Sequence, residues 1–190
     1  TSRYGLEHEK AAADSPSVRR KLHLMSRLDY YEPLRFFTHW RAEEAYNRRA
    51  LLAAIDIAQP DLILVWGMWN LSLNLPYLAE QWLPGRVAYY LSSYWPIDQD
   101  AHRAFWELPA NSRIGRLLKQ PLRGWARRLL AAAEYPPKLQ FCHAVCCGHY
   151  VRDGLVAAAA VPAQAAVLHG GTDPEPFVAM ARRRKPDMNG

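Results

Sequence analysis

The chain has 190 residues, half of them hydrophobic: enough apolar surface for one core, too little length for two full domains. Seven Trp, ten Tyr and five Phe exclude a disordered tail, and the apolar runs stop short of the roughly 20 residues that span a bilayer. The net charge of +6 is modest but uneven, since Arg113, Arg116, Lys119, Arg123, Arg127 and Arg128 fall within sixteen residues that hold no acid.

In chain order, Ser17 to Ser26 reads as a strand around Leu22-His-Leu-Met25. A helical pattern then runs from Thr38, read as its N-cap, to Ala58, with Trp40, Ala45, Leu51, Leu52 and Ile55 at three- and four-residue spacing and Pro60 closing it. Asp61 to Trp66 is a continuous apolar run ended by Gly67, which predicts a parallel strand buried on both faces. A shorter helix from Leu71 to Trp82 and a strand from Arg86 to Leu91 follow. A polar and aromatic loop, Ser92 to Asp100, leads into a helical region from Ala101 to Glu134 that Pro109 and Pro121 are expected to divide into two or three helices. Strands at Leu139 to Cys147 and Ala165 to His169 enclose a helix from His149 to Ala159. This alternation implies right-handed crossovers in one parallel sheet, an α/β fold.

Three stretches carry more than secondary structure: Pro60-Asp-Leu-Ile-Leu-Val-Trp-Gly67, Cys146-Cys-Gly-His-Tyr-Val-Arg-Asp-Gly-Leu155 and Val167-Leu-His-Gly-Gly-Thr-Asp-Pro-Glu-Pro-Phe177. In this order and spacing they resemble the N-terminal domain of family 4 glycosyltransferases, the retaining family in which two Rossmann-like domains face each other in the GT-B architecture. The opening Thr1-Ser-Arg-Tyr-Gly-Leu-Glu-His-Glu9 is similar to the end of that family's second strand. The resemblance implies an acceptor-side Rossmann-like domain over residues 1–177, with its first strand, glycine-rich loop and first helix upstream and the linker to a second domain over 178–190. It also implies transfer of a sugar from a nucleotide-sugar donor to a saccharide or lipid-linked hydroxyl acceptor, with retention and without a metal. The donor is a co-substrate rather than a cofactor. The catalytic residues would lie in the second domain, so this stretch would be inactive alone.

In an open parallel sheet, ligands bind beyond the carboxyl ends of the strands. Gly67, Trp69 and Asn70 follow the first such strand, where an aromatic ring beside an amide suits a sugar; core packing of Trp66 and Trp69 is the alternative. Where the family often places a His near the donor sugar, this loop reads Ser92-Ser-Tyr-Trp-Pro-Ile-Asp98, which leaves Ser93, Tyr94 and Asp98 as replacements or as plain turn residues. Gly170, Gly171 and Asp173 are expected to shape the domain junction, the two glycines through positive φ. His149 and Arg152 open a helix whose N-terminus can meet phosphate.

Cys142, His143, Cys146, Cys147 and His149 invite a zinc reading. Strand alternation, however, sends Cys146 and Cys147 to opposite faces and paired C-x-x-C knuckles are absent, so no metal is expected. The odd number of cysteines fits a reducing, cytoplasmic setting. Arg116, Lys119, Arg123, Trp125 and Arg127 form a basic aromatic stretch of the kind that lies on the inner face of a membrane. A non-enzymatic membrane- or protein-binding module built on residues 113–130 is therefore the rival to the enzyme reading. Acyl- and phosphoryl-transfer are excluded by the lack of a G-x-S-x-G elbow and of a phosphate-binding G-x-x-x-x-G-K loop. Nucleic-acid binding has only charge in its favour.

Overall fold

The computed structural model describes residues 20–27, 30–110 and 113–171. Their elements are α1 (Pro33–Ala58), β1 (Ile63–Trp66), α2 (Asn74–Trp82), β2 (Val87–Leu91), α3 (Ala101–Glu107), α4 (Arg113–Ala132), β3 (His143–Cys146), α5 (His149–Ala157) and β4 (Ala166–Val167). The four strands form one parallel sheet in the order β1-β2-β3-β4. The expected α/β fold with flanking helices is present. The readings of residues 1–9, Asp173 and 178–190 lie outside the described residues.

Tyr89 pairs with Val65 and Ala144 in register, and Leu91 pairs with Cys146. These side chains share one sheet face with Val87. That face packs on Ala79 of α2 and Leu155 of α5 to make the first core. Residues one step along each strand point the other way. Leu64, Trp66 and Leu168 are exposed there, Leu64 at 57 % and Trp66 at 71 %, while Ala88, Tyr90 and Val145 are half-buried. The expectation that β1 is buried on both faces therefore fails: among the described residues β1 is an edge strand and no element covers its outer face. Trp66 meets Tyr90 edge-on at 5.3 Å between ring centroids and is not a core residue.

A second core is aromatic and helical. Phe36 and Trp40 of α1, Trp106 of α3, and Ala126 and Leu130 of α4 enclose it with Tyr135. α1 begins five residues before the expected Thr38, because Pro33 occupies the first turn, where its missing N–H costs nothing. Thr38 instead donates its hydroxyl to Leu34 O inside the helix. The helix ends on Gln59, whose left-handed φ of 45° sends its N–H back to Ile55 O just before Pro60. Pro121 does not divide α4. It lies on the exposed side of the helix, and Leu122, Ala126, Leu129 and Leu130 hold the two halves in line against the aromatic core.

Two shorter strands have a local cause. The segment at 20–26 forms a single bridge at Leu22 rather than the expected strand, since side-chain amides satisfy its backbone. His23 N donates to Asn47 Oδ1, Asn47 Nδ2 donates to His23 O, and Asn70 Nδ2 donates to Ser26 O at 2.6 Å. Likewise β3 starts at His143, not at Leu139, because the amides of Gln140 and Phe141 donate to the buried Glu80 carboxylate at 3.0–3.1 Å instead of to a neighbouring strand.

Candidate functional site

All four strands run the same way, so the segments after Trp66, Leu91, Cys146 and Val167 leave from one edge of the sheet. Between the first two lies a cavity of about 560 Å3. Trp69 and Asn70 line it from the loop after β1, and Trp95, Asp98 and Gln99 from the loop after β2. Arg27 closes it from the 20–27 segment. The structure thus brings together Trp69, Asn70 and Asp98, which the sequence singles out, and adds Arg27, Trp95 and Gln99, which it does not.

The turn after β1 is made by two left-handed residues, Gly67 with φ 71° and Asn70 with φ 54°, which glycine and asparagine tolerate best. The turn buries Met68 and leaves Trp69 68 % exposed. Asn70 is a structural clasp: besides its bond to Ser26 O, its Oδ1 accepts from Ser26 Oγ and its carbonyl from Met25 N. Asp98 is exposed, and its carboxylate takes no hydrogen bond among the described residues. Its backbone N–H donates to Tyr94 O at 2.9 Å. Gln99 donates to Glu107 at 2.7 Å, and Arg27 sits 3.7 Å from Glu32. Asp100 caps α3 by accepting from His102 N and Arg103 N; burial raises its carboxyl above the usual range, and those two backbone bonds partly offset the rise.

A second cavity of about 710 Å3 shares Ser26, Arg27 and Ala101 with the first. Its walls are mainly apolar and aromatic, with Tyr30, Tyr31, Phe105 and Leu108 prominent and Lys119 as a cation. Lys119 donates to Leu108 O at 2.7 Å and lies 4.0 Å from the centre of the Phe105 ring. Beside this cavity Trp106 Nε1 donates to Tyr31 Oη, which shares a hydrogen bond of 2.8 Å with His102 Nδ1. Burial, with the Arg35 charge second, pushes His102 down to about 4, so the imidazole is neutral at physiological pH.

The other residues singled out from the sequence lie elsewhere along the edge. Ser93 is exposed and lines neither cavity. Tyr94 lies across α5, donating its hydroxyl to Tyr150 O over Gly154. Gly148 precedes α5 without a side-chain cap, and His149 faces His169 at 5.6 Å between ring centroids. Arg152 spends its guanidinium on Asp153 at 2.7 Å. Gly170 and Gly171 do not have the positive φ expected of them; among the described glycines Gly67 and Gly85 do. The chain leaves β4 without a left-handed turn at Gly170, whose absent Cβ would meet Tyr90 Oη at 3.8 Å.

No family model, curated protein or solved structure matches this chain. Its chemistry therefore rests on the site itself. Among the described residues no group of three or more His, Cys, Asp or Glu side chains is placed to hold a metal ion, and Cys142, Cys146 and Cys147 are free thiols. Burial pushes the Cys146 thiol up, which makes it a poor nucleophile. Among the described residues no helix is long and apolar enough to cross a membrane.

Proposed function

We propose that this chain is the acceptor-side, Rossmann-like domain of a two-domain, GT-B type glycosyltransferase similar to family 4. The full enzyme would move a sugar from a nucleotide-sugar donor to a hydroxyl acceptor with retention. The observation that carries the proposal is the cavity of about 560 Å3 at the carboxyl edge of the parallel sheet, walled by Trp69 and Trp95 beside the Asp98 carboxylate, which is unpaired among the described residues. An indole ring stacks on the apolar face of a sugar, and a carboxylate accepts from its hydroxyls. The described parts of the three motif stretches support the reading further, since the first contains β1, the second runs from the last residue of β3 into α5, and the third starts at the last residue of β4, its residues 172–177 lying outside the described residues.

The residues divide the work as follows. Trp69 and Trp95 hold the acceptor, Asp98 orients the hydroxyl that attacks, and Arg27 offers a donor on the opposite wall. Transfer then depends on positioning and on stabilising the leaving diphosphate, the latter from a second domain. The adjoining apolar cavity favours a lipid-linked acceptor over a free sugar, with the hydrocarbon among Tyr30, Tyr31 and Phe105.

Saturation-transfer NMR on the 190-residue chain against a panel of alkyl glycosides tests this. Transfer to sugar and alkyl protons, lost in Trp69→Ala and weakened in Asp98→Asn, is expected. Equal binding by wild type and Trp69→Ala refutes the site.

A further inference from the structure

α4 bears six cations and no acid from Arg113 to Arg128, and the structure sorts them by direction. Lys119 turns inward to Leu108 O and Phe105, and Arg123 is half-buried with its Nε enclosed and unpartnered. These two therefore leave the surface set expected from sequence. Arg113, Arg116, Arg127 and Arg128 are exposed, and none enters an ion pair among the described residues. On the same outer arc Leu117 is 75 % and Trp125 53 % exposed, with the exposed Pro121 between them at four-residue spacing. An apolar stripe thus runs along the helix; Arg113, Arg116 and Arg127 line the one side of it that faces away from the aromatic core, and Arg128 falls within it.

We propose that this outer face of α4 docks flat on a lipid surface rich in anionic phospholipid. An ordinary solvated helix face carries acids that pair with its bases at three- and four-residue spacing, and α4 has none. The four arginines, unpaired among the described residues, are complementary to a negative headgroup layer, while Leu117 and the free face of the Trp125 ring can meet the boundary with the acyl chains. A nucleic acid explains the charge but not the apolar stripe. Moreover, one face of the Trp125 ring is stacked on Phe37 at 4.5 Å, which leaves it poorly placed as a platform for successive bases. This surface is independent of the glycosyl-transfer reading, since it needs neither a donor nor an acceptor.

Co-sedimentation of the 190-residue chain with vesicles tests it, comparing phosphatidylcholine alone with equal parts phosphatidylcholine and phosphatidylglycerol. Each arginine near such a surface is worth about fivefold in partitioning, so Arg116→Glu/Arg127→Glu/Arg128→Glu is expected to lower binding to the mixed vesicles by about 100-fold or more. Leu117→Ser is expected to lower it by about tenfold at unchanged charge. All four positions are exposed, and unchanged urea midpoints verify that the variants fold. Equal binding to both vesicle types overturns the proposal, as does mixed-vesicle binding that survives charge reversal. Binding to duplex DNA as tight as to mixed vesicles, with both indifferent to Leu117→Ser, overturns it in favour of a polyanion site.

Discussion

Gly154 is the position where two opposing effects of known size can be weighed. It lies inside α5, where replacing Gly by Ala gains about 1 kcal/mol of helix propensity. A Cβ built there, however, falls 2.7 Å from Tyr94 Cε1 and 3.1 Å from its Oη. The end of the Tyr94 side chain must shift. A shift that breaks the hydrogen bond from Tyr94 Oη to Tyr150 O at 3.2 Å and the edge contact with the Tyr150 ring costs together about 2 kcal/mol, besides part of the ring's packing on the first core. Gly154→Ala should therefore destabilise the protein by about 1–2 kcal/mol despite the better helix former. In a Tyr94→Ala background the clash is gone and the same change should stabilise by about 1 kcal/mol. The cycle predicts a coupling of about 2–3 kcal/mol, read by urea unfolding of the four proteins. The same small, favourable change in both backgrounds would refute the argument and remove Gly154 as the seat of the loop after β2. Hydrogen exchange over residues 92–98 supplies the functional readout, because that loop carries Asp98 and Trp95 into the cavity.

Other expectations follow from the same packing. Glu80 accepts from Tyr89 Oη and from the amides of Gln140 and Phe141, so Glu80→Ala orphans three donors. At about 1–3 kcal/mol each, the loss should be about 4 kcal/mol, with Glu80→Gln intermediate in thermal unfolding. His102 sits near 4 in the folded protein against an ordinary 6.5, so its contribution is complete above about pH 6.5 and is lost as pH falls through 4. The stability difference between wild type and His102→Gln should shrink by about 3 kcal/mol from about pH 7 to about pH 4; a pH-independent difference would contradict a buried neutral imidazole. Pro121→Ala, on the exposed side of α4, restores a helix hydrogen bond and should raise stability by about 2 kcal/mol in a denaturant titration, offset in part by the freer unfolded chain.

The sequence by itself determined the class of fold. The apolar runs at β1 and β2 and the amphipathic stretches around them are local signals with strand and helix periods, and every expected strand within the sheet is present, although β3 and β4 are shorter. That Trp69, Asn70 and Asp98 lie together at the carboxyl edge was legible because strand polarity alone assigns loops to that edge. What needed tertiary structure was every decision made between distant residues. Pro121 reads as a helix breaker until the aromatic core beneath α4 shows what holds the helix through it. Glu80 belongs to α2, yet it sets where a strand some sixty residues away begins, by taking the amides of Gln140 and Phe141. Arg27 joins the cavity only because Asn47 and Asn70 clasp the segment before it, and no local pattern marks that pairing. The apolar run at 61–66 signals burial, but whether one face or two is covered depends on which strand lies at the sheet's edge. Hydrophobic periodicity reports the direction of a side chain relative to its own backbone; the neighbour it meets is set by the packing of the whole chain.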